Sequence, residues 1–177
     1  MYRCRERCAE FFDCDPEQVV FTSNATHALN IALKSLIKPG DTVLISGYEH
    51  NAVTRTLYAM PTVRVKVAEA PLFSPEEMVA RFEAMLTEEV STVVCTHVSN
   101  VFGYVLPVDA IAGLCRDKGV KLIVDASQSA GCIPIDMEQW GAAFVAMPGH
   151  KGLYGPQGTG LLLCREGGDP LLEGGTG

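Results

Sequence analysis

Apolar residues along this chain come in short runs of two kinds. Val19 to Thr22, Thr42 to Ser46, Ser91 to Thr96, Val120 to Val124, Ala142 to Met147 and Leu161 to Cys164 are apolar almost throughout and predict buried strands. Val63-Arg64-Val65-Lys66-Val67 alternates apolar with charged residues, as a strand with one wet face does. Between these runs the period lengthens to that of a helix. Ala28, Leu29, Ile31, Ala32, Leu33 and Leu36 predict a helix that stops at Pro39-Gly40. Ser74-Pro75-Glu76-Glu77 caps another that runs to about Leu86, and Pro107 opens a third that runs to Lys118 with Gly119 as its stop. Residues 2 to 12, with Cys8, Phe11 and Phe12 among charged positions, predict a helix already under way. Seven strand candidates alternating with helices imply an α/β fold, a mostly parallel sheet of about seven strands with helices on both faces.

Groups able to hold a ligand recur just after these strands. Ser23-Asn24-Ala25-Thr26 opens a helix directly after the first strand, where free backbone N–H groups attract phosphate. Ordinary capping by Ser23 or Asn24 would leave the same sequence. His50 follows the second long strand, Asn100 lies in His97-Val98-Ser99-Asn100, and Asp125 ends an apolar strand with Gln128 close behind. An aspartate there is costly unless a cation faces it, the alternative being a helix cap. His150 and Lys151 stand in a glycine-rich loop between the last two strands. A desolvated lysine at the mouth of a sheet can lose its proton and act as a nucleophile, whereas a lysine on a surface hairpin would do nothing. In an open sheet the loops at the carboxyl ends of the strands would gather all these groups in one crevice.

Composition narrows the classes. The chain has 177 residues, 47% hydrophobic and 20% charged, enough for one domain with a sizeable core. With 14 basic against 21 acidic residues the net charge is -7, which speaks against nucleic acid or an anionic membrane as a partner. No apolar run reaches a membrane span and no signal region follows the N-terminus, so a cytoplasmic setting is expected. Seven cysteines without a CxxC pair read as buried reduced thiols. Cys4, Cys8 and Cys14 have no histidine near them, and no metal is expected.

Phe21 to Asn30, Glu49-His50, His97 to Gly103 with Pro107-Val108, Val124 to Gln128, and Gly149-His150-Lys151 with Gly155 to Gly160 together resemble the ordered motif set of the class V aminotransferase family. The similarity is strongest to its cysteine desulfurase and selenocysteine lyase branch, of PLP-dependent fold type I. That resemblance implies pyridoxal 5′-phosphate (PLP) as cofactor and Lys151 as its Schiff-base lysine and proton shuttle, with Asp125 facing the pyridine nitrogen. It further implies His50 stacked on the ring as the second catalytic candidate, and Asn100 and Gln128 near the phenolic oxygen. Ala25, Thr26 and His150 would hold the phosphate. Cysteine or selenocysteine would be the substrate, a homodimer the assembly and a sulfur-acceptor protein a partner. Transamination by a class V aminotransferase, or a non-catalytic module that keeps the fold, are the alternatives.

Two departures accompany the resemblance. Pro148 stands where relatives commonly carry a phosphate-binding serine or threonine, and it offers neither hydroxyl nor N–H. His27 stands where they usually have glutamate, an exchange the sequence does not explain. Family members run to about twice this length. Residues 1–177 are therefore expected to be the PLP-binding large domain without the family's N-terminal segment and C-terminal small domain. The nucleophilic cysteine and the carboxylate-binding arginine would lie in that missing part, and Gly174 to Gly177 would begin the loop leading to it.

Overall fold

Strands that are apolar on both faces must be covered on both, and this requirement sets the architecture. The computed structural model describes residues 2–169; Gly174 to Gly177 lie outside the described residues. The order is α1 (Tyr2–Phe12), β1 (Val19–Thr22), α2 (Ala25–Leu36), β2 (Thr42–Ser46), α3 (Asn51–Tyr58), β3 (Arg64–Ala68) and α4 (Pro75–Met85). It continues with β4 (Val90–Thr96), α5 (Val108–Lys118), β5 (Lys121–Asp125), α6 (Met137–Trp140), β6 (Phe144–Pro148) and β7 (Gly160–Cys164).

The seven strands form one sheet in the order β1-β7-β6-β5-β4-β2-β3. Neighbours from β3 to β6 are parallel, while β7 runs antiparallel to β6 and β1. Successive residues point to opposite faces. Val43, Ile45, Val94, Ile123, Phe144 and Leu162 pack on one face under α2 and α3. Leu44, Val93, Leu122, Val124, Val145 and Leu163 pack on the other with α1, α4, α5 and α6. The predicted sheet and the predicted two-sided cover are both present.

Two helices were not legible. α3 starts at Asn51 behind His50, whose Nδ1 accepts the Ala52 N–H (3.0 Å) in place of a conventional cap. α6 has only four residues, capped by the Asp136 side chain on the Gln139 N–H (2.7 Å). Ser74 makes no side-chain cap bond to α4, so Pro75 and the acidic first turn start that helix instead. The cysteines also depart from expectation: all seven are free, but only Cys95 and Cys115 are buried, and Cys4 and Cys132 are exposed. Residence in an apolar-looking stretch does not fix which side of a helix or turn a thiol takes.

The register puts one edge of the sheet to use. Thr22 and Pro148 both pair with Gly160, so the end of β1, the end of β6 and the start of β7 lie side by side. Thr96 pairs with Asp125, aligning the ends of β4 and β5. Close approach here needs glycine at several positions, of which two matter most. A Cβ on Gly160 would lie 2.7 Å from the Asn24 carbonyl carbon, so only glycine lets β7 pass beneath the start of α2. Gly131, at φ +81°, lies so near the Gly152 backbone that any side chain would overlap it.

Candidate active site

At the start of α2, Asn24 is the cap: its Oδ1 accepts the His27 N–H (2.8 Å) and its carbonyl accepts the Ala28 N–H (3.1 Å). The capping reading of this stretch therefore holds. It does not compete with the anion-binding one, because the Ala25 and Thr26 N–H groups, first in the helix, have no intrahelical acceptor. Facing backward, His27 Nδ1 lies 3.4 Å from the Ser23 N–H and 3.2 Å from its hydroxyl. The ring thus reaches past the cap to the residue before it, and not to the Asn24 N–H that a capping-box glutamate takes.

Asp125 closes β5 and is only 2% exposed. Its Oδ1 accepts the Ser127 N–H (2.9 Å), and a turn rather than a helix follows, so it caps no helix. Burial pushes its carboxyl above the usual range, opposed by the Ser127 bonds and then by the nearby His50 and Lys151. A buried acid in this condition would gain from a cation placed against it.

Lys151 sits on a tight loop. Its carbonyl accepts the Tyr154 N–H (2.9 Å), and Gly149 and Gly155 close the loop through an N–H to carbonyl bond of 2.7 Å. Tyr154 is left-handed at φ 55° and 94% exposed. Non-glycine residues adopt that conformation at a cost of about 1–2 kcal/mol, so the loop holds it there against local preference. Lys151 is itself exposed, not desolvated as its setting in the sequence implied.

Ala25, Thr26, His50, Asn100, Asp125, Gln128, His150 and Lys151, the eight residues singled out in the sequence, all line one cavity of about 130 Å³. They come from the ends of β1, β2, β4, β5 and β6. Asn24, Leu29, Ala52, Thr96, Val98 and Ser127 line it too and were not singled out as ligands. Ser127 could have been found, since a small hydroxylated residue two beyond a strand-end aspartate is placed to return an N–H to it. A larger depression of about 710 Å³ lies at the opposite ends of the strands, between Leu86 and Val120. Its one lysine, Lys118, already donates to the Leu86 carbonyl (2.6 Å), and no ligand-binding set converges there.

Among the described residues no helix is long and apolar enough to cross a membrane. The chain is similar to a probable cysteine desulfurase of Methanothermobacter thermautotrophicus, 34% identical over 190 residues that cover 99% of this chain and 45% of that protein. Its fold matches the apo cysteine desulfurase of Thermococcus onnurineus NA1 with a TM-score of 0.87 and 29% identity, over 98% of this chain and 46% of that one. It also matches a variant of C-DES with glycine covalently linked to its PLP cofactor, with a TM-score of 0.83 and 26% identity, over 93% and 45%. The chain thus spans less than half the length of these proteins. The family model for class-V aminotransferases matches residues 1–176. A match that runs through all seven strands and every loop around the cavity makes this chain a member of the class-V aminotransferase family.

Proposed function

We propose that this chain is the cofactor-binding part of a PLP-dependent cysteine desulfurase, which converts L-cysteine to L-alanine and leaves the sulfur on an enzyme cysteine. Residues 1–177 are then the large domain of a longer enzyme, in keeping with a share below half of the relatives' length. The observation that carries the reading is the meeting of Lys151, buried Asp125 and the open N-terminus of α2 around one cavity.

These residues fit the cofactor. When bound, PLP supplies a sink for the electrons left at the substrate α-carbon. Ala25 and Thr26 offer two N–H groups and the helix dipole to the phosphate, and His150 adds a side chain. Pro148 adds nothing, so phosphate affinity rests on those three. Asp125 would answer the protonated ring nitrogen, an arrangement that would return part of what its burial costs. His50, its Nδ1 held by the Ala52 N–H, offers a fixed ring face for stacking. Asn100 and Gln128, which line the same cavity, would face the phenolic oxygen side. Lys151 would be the amine that holds the cofactor and would move the α-proton, and its exposure leaves the amine accessible for both. Exposed Phe11, Phe102 and Tyr154 support a homodimer. A sulfur-acceptor protein and a cytoplasmic setting belong to the same reading.

Transamination would use the same Lys151 and Asp125, and the family model is named for it. Product identity separates the two. The whole gene product, given PLP and L-cysteine, is expected to form alanine and protein-bound sulfur. A new amino acid made from an added oxo acid, with no sulfur released, would replace desulfuration by amino transfer. The 177 residues alone are expected not to sustain alanine formation, and sustained formation would contradict their reading as a cofactor-binding part only.

A further inference from the structure

Glu49, next to His50 in the turn after β2, has a side chain that turns inward. Its Oε1 accepts both the Ser46 hydroxyl (2.5 Å) and the Thr96 N–H (2.7 Å). Its Oε2 has under 1 Å² of exposed surface and no hydrogen-bond partner among the described residues. Three strand ends meet at this carboxyl. Ser46 ends β2, Thr96 ends β4, and Thr96 is the register partner of Asp125 at the end of β5. Two carboxyl groups thereby share one buried patch.

The patch is lopsided in charge. Asp125 has the Ser127 N–H on its Oδ1 and feels His50 and Lys151. Among the described residues the titratable groups coupled to Glu49 are Asp125 from β5 and the buried Cys95 thiol from β4, neither of them a cation, while the adjacent His50 acts on Asp125. An ionised Glu49 would keep one oxygen bare in a low-dielectric setting beside a second carboxylate. A protonated one leaves only a hydroxyl unpaired, which costs less. Neighbouring acids of this kind divide their protons so that one stays neutral.

We propose that Glu49 is a positioning residue of the site that works as an uncharged acid, bolting the turn that carries His50 to the strand end that carries Thr96 and leaving the negative charge on Asp125. Thr96 lines the cavity and its hydroxyl donates to the Val98 carbonyl (3.1 Å), so this bolt also fixes the cavity floor. In support, burial pushes the Glu49 carboxyl up to about 8 in spite of the bonds from Ser46 and Thr96, with Asp125 pushing the same way. The folded chain therefore holds a proton that the unfolded chain gives up above about 4.5, and stability falls as pH rises between those values.

The protonation claim is tested on the chain without cofactor. Infrared spectra near neutral pH should show a protonated-carboxyl band in wild type that Glu49→Gln removes. Glu49→Gln should also flatten the fall of thermal stability with rising pH. A wild-type spectrum without that band, or one that Glu49→Gln leaves unchanged, overturns the claim. The positioning claim rests on the PLP reading above and is tested with PLP itself. Glu49→Gln, isosteric with the neutral acid, should keep wild-type PLP affinity. Glu49→Asp, too short to reach both Ser46 and Thr96, should lose about tenfold, the worth of one hydrogen bond. Equal losses in the two variants overturn positioning by a neutral acid. If wild type binds no PLP, the functional reading and the positioning claim fall together, while the infrared result still decides the protonation.

Discussion

Asp125 carries the conflict between stability and function most plainly at the scale of single residues. Its folded-state carboxyl is raised by burial, so the native chain binds a proton that the unfolded chain has already released, and stability declines as pH rises through that window. Asp125→Asn removes its own share of the decline and leaves that of Glu49. In the cofactor-free chain it is expected to be at least as stable as wild type at neutral pH, by thermal denaturation. The same substitution is expected to weaken PLP binding on the order of 10- to 100-fold, the worth of a charge-assisted hydrogen bond. Loss of stability with unchanged PLP affinity would mean that Asp125 serves the fold alone. This residue was legible in the sequence because a charge ending an apolar strand has to be explained. Glu49 was legible only as the neighbour of His50, since its partner Thr96 lies 47 positions away and no local pattern records the contact.

At the scale of elements, the site depends on close backbone approach and on the cap of α2. Gly131 is left-handed and abuts the Gly152 backbone, next to Lys151. Gly131→Ala therefore has to strain the turn and push the lysine loop, and it is expected to cost about 1–3 kcal/mol in denaturant unfolding. It should weaken PLP binding as well. Asn24→Ala removes the bond to the His27 N–H and is expected to cost about 0.5–2 kcal/mol. The strands and the longer helices could be read from the chain because their apolar period is unambiguous. α3 could not, since a histidine is an unusual cap, and α6 is too short for any period to show. The five loops that line the cavity were legible because each follows a strand. Their convergence was an inference from topology that the register of β1, β7 and β6 now makes concrete.

For the whole molecule, a sheet covered on both faces by separate cores holds five strand ends rigidly at one edge. That rigidity is what a preorganised site requires, and it explains why the candidate groups drawn from residues 25 to 151 can meet in about 130 Å³. The reaction's outcome is a separate matter, since the chain spans 45% of its desulfurase relative. The central claim is that this half binds PLP through Lys151. Adding PLP to the purified chain should produce a visible absorption band that borohydride fixes to the protein and that Lys151→Ala abolishes while the variant remains folded. No band in wild type, or a band that survives Lys151→Ala, would contradict it.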